Sequence, residues 1–144
     1  MSNDLDPSLD LYVKAVLGKK AFGVLVLDVQ ELTSISDVFI ICSGHSNRQV
    51  TSISEFIRTE LKKHDKTPLS VEGEKEGHWV LLDYGHVIIH VFYDPIRNFY
   101  DLEGLWTDAK RIKTESLDNY ELTDDLHSSD WESEEEEEVE TEVL

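Results

Sequence analysis

A mixed-sheet α/β domain is what this sequence predicts, on three observations. Two stretches carry apolar residues at helical spacing. Four others are short apolar runs rich in β-branched residues, the composition of buried strands. The order is helix, strand, strand, helix, strand, strand, strand, helix, so the helices can form a second layer over one sheet.

The first helix has Asp6 as a capping residue, Pro7 where an N–H is not needed, and Gly18 to stop it. Leu9, Tyr12, Val13, Val16 and Leu17 form its apolar stripe. Ala21 to Val29 is then apolar up to Asp28, as expected of a strand buried on both faces, and Val38 to Cys42 is a second, ended by Ser43-Gly44. Ser46 and Gln49 have capping-box spacing, and the helix they open points Val50, Ile53, Ile57 and Leu61 inward and Arg58, Lys62 and Lys63 outward. A short strand is expected around Leu69–Val71. Trp79 to Tyr84, the turn Gly85-His86 and Val87 to Tyr93 form an antiparallel pair. Asp94-Pro95 opens the last helix, with Ile96, Phe99, Tyr100 and Trp106 as its apolar face.

Charge divides the chain in two. Residues 1–113 hold 13 bases and 17 acids, a net of −4, and residues 114–144 hold 14 acids and no base, a net of −14. The first part is read as the folded domain and the second as an acidic, disordered tail, since Glu134 to Glu138 and their neighbours cannot bury enough apolar surface to fold. Nothing here is a broad basic footprint, so phosphate contact is not the main source of any affinity. No apolar run approaches the roughly 20 residues that span a bilayer. The first residues do not read as a signal or transit peptide, and the single Cys42 fits a reducing compartment, so a cytoplasmic setting is expected, with no membrane partner.

Enzyme chemistry is poorly provided for. Cys42 with His45 or His90 would be a thiol and base, but Cys42 closes an apolar strand. The six histidines form no HxxxH or HExxH pair and there is no CxxC, so no metal or cofactor is expected. Ser43-Gly44 before a helix resembles the Gly-Ser turn of nucleotidyltransferases, which need two or three carboxylates on adjacent strands for magnesium ions. The strands here offer Asp28 and Asp83 singly.

The more informative group is Trp79, Asp83 and Tyr84, with Glu72 on the connection leading to them. A strand alternates faces, so Trp79, Leu81 and Asp83 share one and Val80, Leu82 and Tyr84 the other. Aromatic anchors beside acids suit docking on a basic protein. Trp79 could equally pack in the core while Asp83 caps the turn, and residue types alone leave both open. The outward bases of the second helix suit either a solvated face or a secondary rRNA contact.

Two long stretches and a short closing one carry a resemblance. They are Val26-Leu27-Asp28-Val29 with Ser36 to Val50, then Val71-Glu72-Gly73-Glu74 with Trp79, Asp83-Tyr84-Gly85 and Val87 to Phe92, and lastly Leu102-Glu103-Gly104-Leu105-Trp106. In this order and spacing they resemble the Iojap, or ribosomal silencing factor, family over roughly residues 8–107. The resemblance implies a nucleotidyltransferase-like fold without the catalytic carboxylates and no enzymatic activity. It implies binding to the large ribosomal subunit through ribosomal protein L14, where the bound protein blocks subunit joining and lowers translation when nutrients are scarce. Organellar relatives act in large-subunit assembly, an alternative role. By position, Glu72, Trp79, Asp83 and Tyr84 match the stretch associated with the ribosomal interface, which favours docking. His86 departs from the acid common after the turn glycine, and the tail beyond Lys113 lies outside the resemblance. Exposed aromatic surface in the free protein would also suit a weak homodimer.

Overall fold

The computed structural model describes residues 7–122. Along them run α1 (Leu9–Leu17), β1 (Phe22–Asp28), β2 (Val38–Gly44), α2 (Asn47–Lys62), β3 (Ser70–Glu72), β4 (Trp79–Asp83) and β5 (Val87–Tyr93). They are followed by α3 (Asp94–Tyr100), α4 (Leu102–Leu105), β6 (Lys110–Arg111) and α5 (Glu115–Leu122). The six strands make one mixed sheet in the order β3-β4-β5-β2-β1-β6. Neighbours are antiparallel except β2 and β5, which run parallel in register from Val38↔Val87 to Gly44↔Tyr93. These are the two central strands and the most apolar, and β2 is buried along its whole length through Gly44, past the expected end at Cys42.

One face of the sheet is closed by α1, α2 and α5. Val26, Val38, Ile40, Cys42, Val80, Leu82, Ile89 and Val91 pack there against Val13, Val16, Val50, Ile53, Ile57 and Leu61. The inward positions expected for α2 are all fully buried. Its N-terminus corrects the expected capping box: Ser46 Oγ accepts from Gln49 N–H at 3.0 Å, but Gln49 Oε1 takes the N–H of His45, not that of Ser46. In α1 the cap position is Ser8, and the proposed Asp6 cap lies outside the described residues. Gly18 ends α1 in right-handed geometry; a side chain there would run into the Phe56 ring of α2, so close helix packing explains the glycine.

The opposite face is thinner. Leu27, Val29, Phe39, Ile41, Ile88 and Phe92 form a second cluster, covered by partly buried residues of α3, α4 and the segment after them. Strand β1 is consequently buried less than its apolar composition suggested. The last helix also departs from expectation. The chain turns at Asp101, which is left-handed at φ 49°, and splits the helix into α3 and α4, neither with a buried residue.

The boundary expected at residue 113 also moves. Thr114 begins an ordered connection and Glu115–Leu122 is a helix, not tail. Leu117 is buried in the helix-side core, Ser116 donates its N–H and its hydroxyl to the Asp10 carboxylate at 3.1 and 2.8 Å, and the Tyr120 hydroxyl donates to Ala21 O. A single apolar residue at the right place is enough to dock one more turn, about 2 kcal/mol for a buried leucine. The remainder of the acidic segment lies outside the described residues.

Candidate docking site

Strand pairing decides which predicted residues meet. Residues directly opposite in an antiparallel pair share a face. Trp79 lies opposite Phe92, Leu81 opposite His90, and Glu72 opposite Leu81. Glu72, Trp79, Leu81 and Asp83 are therefore on the thin face, as the alternation of β4 implied. Tyr84 is on the other side, 7% exposed, with its ring edge-on to Tyr12 at 5.4 Å. Burial pushes its hydroxyl up to about 12. The structure brings three of the four residues to one face and places the fourth behind it.

Trp79 is packed on one side and open on the other. Its ring stacks on buried Phe92 at 4.8 Å and its indole N–H donates to His90 Nδ1 at 3.1 Å, yet the side chain is only half-buried. On the outer side it meets Tyr100 at 5.3 Å, and Phe99 packs edge-on against Tyr100 at 5.1 Å. Phe92, Trp79, Tyr100 and Phe99 thus form a series running from core to solvent. Tyr100 is 54% and Phe99 78% exposed, and Leu105 on α4 is 77% exposed. Asp83 is half-exposed and caps the hairpin turn, accepting from Gly85 N–H at 2.8 Å, while Glu72 is exposed on the edge strand. Apolar anchors and carboxylates on one face can desolvate against a basic protein surface.

The sequence reading missed Phe99, Tyr100 and Leu105 as surface residues. The apolar spacing of Phe99 and Tyr100 reads as burial, and Leu105 lies beyond the break at Asp101 that ends their helix.

The other candidate chemistries separate in space. Cys42 packs on the helix side and His90 on the thin face, so they cannot act on one substrate atom. Burial pushes the Cys42 thiol up to about 12, with Arg97 opposing, which removes its nucleophilic form. Asp28 and Asp83 stand on strands three steps apart in the sheet, roughly 14 Å at ordinary strand spacing. Each is held locally, Asp28 by Gln30 N–H and Asp83 by Gly85 N–H. Among the described residues no group of three His, Cys, Asp or Glu could share a metal ion. On α2, Arg58 is paired with Glu74 at 2.6 Å and Lys63 with Glu60 at 2.9 Å, while Lys66 beyond its end lies over the Tyr12 ring. Among the described residues no helix is long and apolar enough to cross a membrane.

Comparison with known proteins identifies the family. The family model described as "Ribosomal silencing factor during starvation" matches residues 2–143, well beyond the span over which the resemblance was legible. The chain is 37% identical to the ribosomal silencing factor RsfS of Halalkalibacterium halodurans, over 76% of this chain and 93% of that protein. A crystal structure of a Chromobacterium violaceum protein, 32% identical, superposes with a TM-score of 0.67 over 74% of this chain and 88% of the other. At 28% identity, over 69% of this chain and 45% of the relative, it also matches the mouse protein named "Mitochondrial assembly of ribosomal large subunit protein 1". With nearly its whole length matched by that family model, this chain belongs to the ribosomal silencing factor family.

Proposed function

We propose that this chain docks on the large ribosomal subunit through ribosomal protein L14 and sterically blocks subunit joining, lowering translation when nutrients are scarce. It acts without turnover, as a nucleotidyltransferase-like fold that lacks the catalytic carboxylates, in the cytoplasm. The observation that carries the reading is the aromatic series ending in exposed Tyr100 and Phe99, on the sheet face that also carries Glu72 and Asp83. Trp79 is the anchor, Glu72 and Asp83 supply charge complementary to a basic partner, and Tyr84 braces the end of β4 from behind. About 800 Å² on each partner suffices for specific binding. Any contact of the α2 bases with rRNA is secondary, and self-association through the same apolar face is weak.

Co-sedimentation with isolated subunits tests this. Binding to large subunits alone, with fewer joined particles after small subunits are added, is the expected result. Binding to neither subunit, or unimpaired joining, would overturn it. The name of the mouse relative favours a second reading, large-subunit assembly. That role requires large-subunit precursors to accumulate when the protein is absent.

A further inference from the structure

One side chain ties four elements of the thin face together. Arg97 lies on α3 with its side chain 11% exposed. Its Nη1 donates to Gly23 O at 2.8 Å and to Ser43 Oγ at 2.9 Å, and its Nε donates to Glu103 Oε2 at 3.0 Å. One guanidinium therefore joins β1, β2, α3 and α4. The β1 ladder is irregular between Phe22 and Leu25, and Gly23 sits there at φ +61°; a Cβ on it would come within 2.9 Å of Nη1. The glycine both adopts the left-handed backbone and leaves the path open for the arginine.

Helices α3 and α4 need such a tie. Neither has a buried residue, and they meet at left-handed Asp101. Ile96, Leu102 and Trp106 are only partly buried against the sheet. Yet these two helices carry Phe99, Tyr100 and Leu105. We infer that Arg97 is the positioning residue of the docking face: its fork to Gly23, Ser43 and Glu103 fixes α3 and α4 against β1 and β2, so that Tyr100 and Phe99 continue the aromatic line begun by Trp79. This rests on the docking reading above. A lysine would keep the charge but lacks the planar fork that serves a carbonyl, a hydroxyl and a carboxylate at once.

The test uses the full chain with Arg97→Lys, Ser43→Ala, Phe99→Ala/Tyr100→Ala, and the triple variant Arg97→Lys/Phe99→Ala/Tyr100→Ala. Measured are affinity for isolated large subunits and amide hydrogen exchange along the chain. Arg97→Lys should weaken binding about tenfold and speed exchange in residues 94–109 while β2 and β5 stay protected. Ser43→Ala should do the same more mildly. Adding Arg97→Lys to Phe99→Ala/Tyr100→Ala should cost little further affinity, because the side chains it places are already gone. A full tenfold loss in that background, or exchange raised evenly across the sheet, would assign Arg97 a general stabilising role and overturn the inference. Unchanged binding and exchange in Arg97→Lys would overturn it too. If the unaltered chain binds no large subunit, the docking reading fails by itself, and the exchange pattern still decides whether Arg97 orders α3 and α4.

Discussion

The indole N–H of Trp79 donates across the β4–β5 ladder to Nδ1 of His90, at 3.1 Å. An accepting Nδ1 places the imidazole proton on Nε2, and that atom is buried with no partner among the described residues. Trp79 is thus oriented by a neutral histidine in the floor beneath it, packed edge-on against Phe39.

The burial of that histidine makes stability depend on acid. Burial pushes His90 down from its ordinary 6.5 to about 4. Between those values the unfolded chain binds the proton more readily than the folded one. The contribution is complete above about pH 6.5 and is lost as pH falls toward 4, roughly 3 kcal/mol across the window. Urea midpoints at pH 7 and pH 4.5 should differ more in the natural sequence than in His90→Phe. Equal differences would place the acid sensitivity in other groups.

Phe99→Ala should separate binding from folding. At 78% exposure its ring adds little to the core, so stability should change by less than about 0.5 kcal/mol. Large-subunit affinity should fall about tenfold, roughly 1.4 kcal/mol. Retained affinity would remove Phe99 from the contact.

Truncation should distinguish the two halves of the acidic segment. Ending the chain at Leu122 should leave the melting temperature close to that of the full protein, whereas ending it at Lys113 removes the Leu117 anchor and the Ser116–Asp10 bonds and should lower it. Leu117→Ala alone should cost about 2 to 3 kcal/mol. Large-subunit binding should survive either truncation, since α5 covers the face opposite Trp79. Identical melting for the two truncations would mean that α5 contributes nothing to the domain.

The loop entering β4 should tolerate no side chain at Gly73. It stands at φ +82° with the Trp79 carbonyl where a Cβ would be. Gly73→Ala should destabilise by more than about 1 kcal/mol, and a smaller cost on chemical denaturation would mean that the loop relaxes freely.

Alternation along β4 made the split between Trp79 and Tyr84 readable, because a strand has only two faces. Residues Val50, Ile53, Ile57 and Leu61 were readable for the same kind of reason, one stripe on one helix. Phe99 and Tyr100 were not, since their spacing carries no sign of whether a partner waits inside or outside the molecule. Arg97, Gly23 and Ser43 meet only through strand pairing and a bulge, so no local window holds all three. Helix α5 was obscured by composition: the acids around Leu117 outweigh the one residue that docks it.

The parallel pairing of β2 with β5 has a kinetic consequence. β1 with β2, and β4 with β5, can each close as a local hairpin, but residues 38–44 must find residues 87–93 across the whole of α2 and the first hairpin arm. That seam demands a far longer loop closure than either hairpin and joins the two halves of the sheet, so it should belong to the slow step of folding. Val91→Ala, at the seam, should then mainly retard refolding, while Leu117→Ala, at the periphery, should mainly hasten unfolding. The central strands would thereby set how soon a new chain becomes competent, and the outer helix how long it remains so.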